Sequence, residues 1–174
     1  MRYRIIETRL GSMAIGWSGV GLARVLLPGD PVEVMRARLD AEDGVEEPCG
    51  LADLAARVVG YAEGVADDFA DVVVDLSGVS TFNRRIYRHI RGLGWGETTT
   101  YGTIARWLGD VGKARAVGAA MGANPIPLVV PCHRVLAADG KMGGFSSPRG
   151  AIGKLEMLVL ERAMTPNGQL SFGF

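Results

Sequence analysis

The sequence predicts an α+β protein, with a small antiparallel sheet and helices in its N-terminal half and a mostly helical C-terminal half. Alternating and β-branched residues over 3–10, 13–18 and 22–27, separated by glycines, indicate a meander of three strands. Apolar residues recur at helical spacing after position 81, namely Phe82, Ile86, Ile90 and Leu93. With 174 residues, 48% of them hydrophobic and 22% charged, the chain has a globular composition and is long enough to bury a core.

The rest of the N-terminal half combines helices with one more strand. Apolar spacing predicts helices over 32–39 and 51–61, joined by an acidic loop over 40–47. The valine-rich run 71–76 predicts a further strand. This half therefore has its own set of apolar faces to bury.

The C-terminal half begins with a helix that Ser80 or Thr81 can cap. The predicted helices cover 82–92, 102–108 and 113–121. The last two are short and nearly adjacent, which suggests a helix-turn-helix, although a tightly packed helix pair inside a core has the same pattern. The apolar run 126–130, closed by Pro131, predicts a buried strand.

The net charge of zero conceals a division between the two halves. Residues 1–81 hold 7 basic and 14 acidic residues, a net charge of −7, and residues 82–174 hold 12 and 5, a net charge of +7. A change of composition at 77–81 coincides with this division, so we predict domains over 1–80 and 81–174. The basic half is suited to binding a polyanion, although an incidental dipole between the two halves has the same signature.

The cysteine count and the apolar runs bear on the compartment. Two cysteines cannot build a disulfide framework, and the N-terminus lacks the apolar core of a signal peptide, so we expect a reducing, cytoplasmic location. The longest uncharged run, 116–133, contains Asn124 and three prolines, which a lipid-exposed helix does not tolerate. We therefore expect no membrane segment.

Two adjacent residues are candidates for a reactive site. Cys132 is followed directly by His133. A thiol normally titrates near 8.5 and needs a base or a cation beside it to react as a thiolate near neutral pH. Sequence adjacency does not establish contact, and a buried cysteine that serves only packing remains the alternative.

The surrounding motifs narrow this choice. The chain resembles the O6-alkylguanine-DNA alkyltransferases, also called methylated-DNA–protein-cysteine methyltransferases, from about Phe82 to Arg162. The motifs that carry the resemblance are Gly96-Glu97 with Tyr101-Gly102, Ala114-Arg115-Ala116-Val117-Gly118, Asn124-Pro125-Ile126-Pro127 and Pro131-Cys132-His133-Arg134-Val135. The resemblance implies a ribonuclease H-like N-terminal domain and a winged-helix-like C-terminal domain with a helix-turn-helix.

The resemblance also implies a role for each residue of the reactive centre. Cys132 would accept the alkyl group in one in-line displacement, and His133 would take the thiol proton through a bound water. Glu161 would orient the imidazole, as the third member of a relay does. Asn124 would organise the loop beneath the thiol, and Tyr101 would donate its phenol hydrogen to the departing guanine.

A second implied set recognises the DNA. Arg115 would fill the space that the extruded base leaves in the duplex, because the alkylated oxygen cannot be attacked inside the stack. The other implied DNA-binding residues are Lys113, Thr100, Ala114, Ala116 and Arg134. The implied pocket residues are Met121, Val135, Phe145 and Ser146.

The implied substrate is O6-alkylguanine in double-stranded DNA, with O4-alkylthymine as a second lesion. The implied protein is a monomer that associates with the nucleoid in a prokaryote. Because a thioether has no good leaving group, each chain would act once and would need no cofactor. We expect no metal site, since Cys49 and His89 are the remaining cysteine and histidine and a structural zinc site needs four ligands.

Three positions depart from the family pattern. Phe145 stands where many members have tyrosine, so the aromatic wall is kept and a hydroxyl is lost. The segment 146–153 is about two residues longer than is usual before Lys154, which affects the rim of the pocket. Gly122 lies where a second basic residue can follow the recognition helix, which predicts weaker DNA binding.

Two other functions remain as alternatives. A non-catalytic alkyltransferase-like protein binds damaged DNA without transfer, but such proteins lack the cysteine that this chain has at 132. A Cys-His hydrolase would need an oxyanion site and a route for releasing its acyl intermediate, and the sequence shows a signature for neither.

Overall fold

The N-terminal half folds as a small sheet with two helices. The structure is a computed structural model that describes residues 1–163. The elements of this half are β1 Arg2–Ile6, β2 Met13–Trp17, β3 Leu22–Leu26, α1 Val32–Asp40, β4 Val45–Glu46 and α2 Ala52–Ala62. The three predicted strands and both predicted helices are confirmed, although β1 ends at Ile6 because Thr8 and Gly11 form a tight turn.

The sheet is mixed, which corrects the prediction of a purely antiparallel one. Its strand order is β3-β2-β1-β4, with β1 antiparallel to β2 and β2 antiparallel to β3. The short β4 pairs in parallel with β1, through Val45 beside Arg2 and Glu46 beside Tyr3. Both β4 residues are exposed, so no hydrophobic alternation distinguishes them from the acidic loop in which they were placed.

The predicted strand over 71–76 is wrong. This segment is extended but forms a single bridge, between Val74 and Leu22 at the edge of β3. The Arg91 guanidinium donates to the carbonyls of Phe69 and Val72, at 3.2 and 2.7 Å. Within the predicted strand, this side chain therefore occupies the Val72 carbonyl, which could otherwise serve strand pairing.

The second half is mainly helical. Its elements are α3 Thr81–Ile90, β5 Thr99–Thr100, α4 Tyr101–Trp107, α5 Ala114–Gly122, β6 Val135–Leu136 and α6 Gly150–Leu160, with tight 3₁₀ turns over Val111–Lys113 and Cys132–Arg134. The Ser80 hydroxyl accepts a hydrogen bond from the Asn83 amide and caps α3, as predicted. Helices α4 and α5 pack against each other across the first of these turns. The predicted helices of this half are confirmed to within two residues.

The predicted buried strand over 126–130 is also wrong. The segment is buried, but it forms a turn in which the Val130 amide donates to the Ile126 carbonyl at 2.9 Å and Leu128 has φ 76°. Prolines at 125, 127 and 131 lack the N–H donors that a ladder requires. The Pro125 carbonyl instead accepts from the Val25 amide of β3, which attaches this loop to the N-terminal sheet.

Both halves contribute to one apolar core. Val25 and Tyr61 from the first half lie in the same buried cluster as Ile86, Val130 and Met157 from the second. The division at residue 80 therefore stays a prediction based on composition, and residues 164–174 of the predicted C-terminal domain lie outside the described part. Within residues 1–163, no helix has the length and apolar character needed to cross a bilayer.

Candidate active site

Cys132 begins the second 3₁₀ turn, directly after the proline-rich loop. Its side chain is buried, and Sγ accepts a hydrogen bond from Asn124 Nδ2 at 3.2 Å. The same amide nitrogen donates to the Val130 carbonyl at 2.9 Å, while Asn124 Oδ1 accepts from the Ile126 amide at 3.0 Å. Asn124 therefore lies beneath the thiol and holds the loop, in the position that the resemblance implies.

Burial and the neighbouring groups shift the pKa of the Cys132 thiol in opposite directions. Burial raises its pKa, while the Asn124 hydrogen bond, the Lys154 ammonium and the amide hydrogens of Cys132 and His133 oppose that rise. Burial prevails, so the resting group is a protonated thiol. Nucleophilic attack by this sulfur consequently requires a base.

His133 has the properties of such a base. Its ring is fully buried, and burial lowers the pKa of His133, so the imidazole is neutral near pH 7. Nε2 lies 2.7 Å from Glu161 Oε1, which places the imidazole proton on Nε2 and leaves a lone pair on Nδ1. Nδ1 is buried and has no hydrogen-bond partner within residues 1–163.

Glu161, at the end of α6, is the centre of a buried hydrogen-bond network. Arg134 donates to both of its oxygens, at 2.8 and 2.9 Å, and the amide of Gly96 donates to Oε2 at 3.2 Å. Burial alone would raise the pKa of Glu161, but its bonds to His133 and Arg134 lower it to about 2. Gly96 has φ 73°, and a Cβ there would lie 2.9 Å from the Glu161 carbonyl oxygen, so only glycine fits.

The placement of Arg134 corrects its predicted role in DNA binding. The residue is 1% exposed, and beyond its two bonds to Glu161 it donates to the Leu93 carbonyl at 2.7 Å. A buried carboxylate needs a cation beside it, and this arginine supplies the charge. DNA on the protein surface cannot reach the guanidinium.

An open cleft joins the thiol to α5. Its lining contains several predicted site residues and some small neighbours: Tyr101, Ala114, Arg115, Gly118, Met121, Gly122, Cys132, Gly144, Phe145 and Ser146. Arg115 is exposed, and the Ser146 hydroxyl donates to the Gly122 carbonyl at 2.9 Å. The structure thus brings the predicted arginine, phenol, aromatic wall and thiol to one cavity.

The remaining predicted residues lie apart from this cleft. The Val135 side chain is fully buried in the core, which corrects its placement in the pocket. Thr100 caps α4 by accepting from the Thr103 amide at 3.0 Å, and Ala116 is exposed on α5. Lys113 is half-exposed and lies 3.6 Å from Asp110. These last three lie at or near the helix ends, where a DNA backbone could reach them.

Lys154 is a site residue that the sequence analysis missed. It is fully buried on α6, and Nζ donates to the carbonyls of Val135 and Met142, both at 2.6 Å. Nζ also lies 5.8 Å from the Tyr101 ring, and burial lowers the pKa of Lys154 to about 8. Its position in the helix could have revealed this burial. Lys154 lies three residues before Met157 and four before Leu158, so it falls on the apolar face of the helix.

No group of three or more potential metal-ligating His, Cys, Asp or Glu residues occurs among the described residues. Both cysteines are free, with Cys49 exposed and Cys132 buried.

Comparisons with known proteins find relatives along nearly the whole chain. Residues 81–163 match the family described as the DNA-binding domain of 6-O-methylguanine DNA methyltransferase. The methylated-DNA–protein-cysteine methyltransferase of Mycolicibacterium paratuberculosis is 35% identical over 95% of each chain. A DNA base-flipping protein of Thermus thermophilus is 37% identical over 85% of this chain and 99% of its own.

Solved structures share the mixed α+β fold. Mycobacterium tuberculosis OGT in complex with DNA superposes with a TM-score of 0.78 at 32% identity, covering 94% of this chain and 95% of its own. The O6-methylguanine-DNA methyltransferase of Pyrococcus kodakaraensis has a TM-score of 0.72 at 28% identity, with 91% and 98% covered. From its full-length sequence relatives and its shared fold, the chain belongs to the methylated-DNA–protein-cysteine methyltransferase family.

Proposed function

We propose that this protein repairs double-stranded DNA by moving an alkyl group from O6 of guanine directly onto Cys132 Sγ. The chain belongs to a family whose members carry the name of a methyl transfer from methylated DNA to a protein cysteine. One observation carries the assignment of the acceptor. Cys132 lines a cleft with Arg115 on one side, while His133 and Glu161 are hydrogen-bonded to each other behind the loop.

The proposed reaction is a single displacement. The thiol proton moves to His133 Nδ1, and the resulting imidazolium is stabilised by the Glu161 carboxylate bound to Nε2. The Cys132 thiolate then forms a bond to the alkyl carbon as the bond from that carbon to guanine O6 breaks. The electron pair of that bond leaves with guanine, which finally takes up one proton, so the thiol hydrogen is replaced by the alkyl group.

Three side chains assist this step. The Lys154 ammonium and the Asn124 amide both favour the negative charge that develops on sulfur. Burial raises the pKa of Tyr101, so its phenol stays protonated in the cleft and can donate to the departing guanine. Because the product is a thioether, which offers water no leaving group, each chain acts once.

Helix α5 is proposed to hold the DNA. Alanine and glycine at positions 114, 116 and 118 make it slim, so its backbone can approach the bottom of a groove closely. Arg115 is exposed above the cleft and would replace the extruded base in the stack. Helices α4 and α5 would form the helix-turn-helix, with Lys113, Thr100, Ala114 and Ala116 near the phosphates.

The finer description of the protein belongs to the same proposal. We assign residues 1–80 to a ribonuclease H-like domain and residues 81–174 to a winged-helix-like domain. We further propose that the protein acts as a monomer on O6-alkylguanine in the cytoplasm, close to the nucleoid in a prokaryote. The charge of +7 over 82–174 supports the DNA partner, because a basic surface favours a polyanion.

Parallel incubations distinguish this function from its alternatives. The protein and its Cys132→Ser variant are each mixed with an excess of duplex containing O6-methylguanine, and separately with a thioester. We expect the parent to restore one guanine per chain and then stop, while Cys132→Ser binds the duplex and restores none. Hydrolysis of many thioesters per chain would identify a hydrolase instead. Binding without restoration by the parent would identify a non-catalytic damage-binding protein.

A further inference from the structure

The N-terminal half of the chain reaches the reactive centre through one side chain. Tyr61 lies on α2, and its hydroxyl donates a hydrogen bond of 2.8 Å to Glu161 Oε1, from a position 100 residues away in the sequence. Both side chains are buried, each with 1% exposure. Water does not compete for this hydrogen bond, so its full effect acts on the carboxylate.

The oxygen that Tyr61 binds is the one that faces the imidazole. Glu161 Oε1 lies 2.7 Å from His133 Nε2, 2.9 Å from an Arg134 nitrogen and 2.8 Å from the Tyr61 hydroxyl. Oε2 accepts from Arg134 and from the Gly96 amide. A carboxylate has about four lone-pair sites, so five donors leave none of them unused.

Tyr61 is held in this orientation by its neighbours. Its ring packs edge-on against Trp95, with the ring centroids 5.3 Å apart. It also packs against the tilted ring of Phe69, with a centroid distance of 6.0 Å. Trp95 directly precedes Gly96, whose amide donates to the same Glu161 carboxylate. The phenol and the amide therefore approach Glu161 from one packed cluster.

The phenol acts on the carboxylate as a neutral donor. Burial, together with the negative charge of Glu161, raises the pKa of Tyr61 well above its ordinary value, so the hydroxyl keeps its proton. A neutral donor draws negative charge away from Oε1 without bringing a positive charge of its own. Less charge on Oε1 means weaker stabilisation of a protonated imidazole, which keeps His133 available as a base.

We propose that Tyr61 is a positioning residue for alkyl transfer, which holds Glu161 against His133 and limits how strongly the carboxylate stabilises the imidazolium. The N-terminal half would then be part of the reactive machinery rather than only a support for the DNA-binding half. The inference rests on the proposed function, because it assigns His133 as the base. It adds a residue that acts through Glu161 and touches neither the thiol nor the base being repaired.

Tyr61→Phe tests the proposal because it removes one oxygen and keeps the ring. The readout is the single-turnover rate of transfer from free O6-benzylguanine to the protein, measured across pH so that DNA binding does not contribute. Without the phenol, Oε1 carries more negative charge and stabilises the imidazolium form of His133 more strongly. The acid limb of the rate-against-pH profile should therefore shift to higher pH by about half a pH unit to one pH unit. Above that limb the rate should change less than about threefold.

Tyr3→Phe is the matched control. The Tyr3 hydroxyl also donates to a carboxylate, Asp40, at 2.7 Å, and it is buried in the same half of the chain. This variant loses an equivalent hydrogen bond away from the relay, so its pH profile should match that of the parent. A Tyr61→Phe profile that also matched the parent, or an identical shift in both variants, would overturn the proposal.

An NMR titration provides a readout that needs no alkyl transfer. The chain has two histidines, so the ring signal of His133 can be followed beside that of His89 as an internal reference. We expect Tyr61→Phe to raise the titration midpoint of His133 and to leave that of His89 unchanged. An unmoved His133 midpoint would refute the role of Tyr61. Absence of transfer by the parent protein would instead refute the proposed function, and the His133 midpoint would still report whether Tyr61 acts on the imidazole.

Discussion

Asn124 Nδ2 lies 3.2 Å from Cys132 Sγ and donates at the same time to the Val130 carbonyl, at 2.9 Å. A single amide group therefore sets both the shape of the proline-rich loop and the environment of the sulfur. Its carbonyl oxygen is used too, by the Ile126 amide. A substitution that keeps that oxygen but removes the nitrogen retains the bond from Ile126 and loses the bonds to Sγ and to the Val130 carbonyl.

Asn124→Asp is such a substitution. An aspartate can still accept from Ile126, but its negative charge would face Sγ and the Val130 carbonyl, so the thiolate would be disfavoured. We expect the rate of transfer from free O6-benzylguanine to fall by at least about tenfold near pH 7, with partial recovery at higher pH. The measurement is the single-turnover rate against pH, with far-UV circular dichroism as the check on folding. A rate equal to the parent's at every pH would contradict the assigned role.

Arg134 should affect stability rather than DNA contact. Removing it leaves the Glu161 carboxylate buried with less compensation, so Arg134→Ala should lower the free energy of unfolding by about 3–5 kcal/mol. Under conditions in which Arg134→Ala is folded and binds DNA, its slope of log affinity against log salt concentration should equal that of the parent. Lys113→Ala is the comparison, since loss of one phosphate contact reduces that slope by about 1. A reduced slope in Arg134→Ala would return the residue to the DNA surface.

Arg115→Ala should separate base extrusion from chemistry. If the side chain fills the vacated stack, repair of duplex DNA should slow by at least about tenfold at saturating DNA, while reaction with free O6-benzylguanine stays within about twofold of the parent. Free base needs no extrusion, and the thiol and its relay are unchanged. Lys113→Ala, measured in the same way, should lower affinity alone. Equal slowing on duplex and free base would place Arg115 in the reactive pocket.

The Glu161 network should make the protein sensitive to acid. Its folded pKa of about 2 lies below the ordinary value of 4.5, so the carboxylate's contribution to stability is complete above about pH 4.5 and is lost as pH falls towards 2. That contribution is of the order of 3 kcal/mol. In urea titrations, the stability advantage of the parent over Glu161→Gln should shrink across this window. An advantage that is constant from pH 5 to about 2 would show that the charge of Glu161 does not contribute.

The sequence was most informative where the signal is local. Ser80 as a cap and the helical spacing of Ile86 and Ile90 predict α3 because both depend on neighbours within a few residues. The family resemblance, in turn, implies that Asn124 and Glu161 lie near the reactive pair. The proline-rich loop was misread, because an apolar run has the composition of a buried strand even where prolines prevent pairing.

The sequence was least informative where distant segments meet. Tyr61 and Glu161 are 100 residues apart, and nothing in the pattern of α2 indicates that one tyrosine reaches a carboxylate at the end of α6. The resemblance implied a DNA contact for Arg134, yet the residue is buried against Glu161, which comes from another segment. Long-range packing of this kind follows from how helices and loops dock, which local periodicity does not describe.

Intact mass of the protein after exposure to excess O6-methylguanine duplex, followed by mapping of the modified peptide, tests the central claim most directly. The account predicts a single added methyl group per chain, located on the peptide that contains Cys132, with Cys49 unmodified and no change in Cys132→Ser. More than one guanine restored per chain, or a methyl group on Cys49, would contradict it.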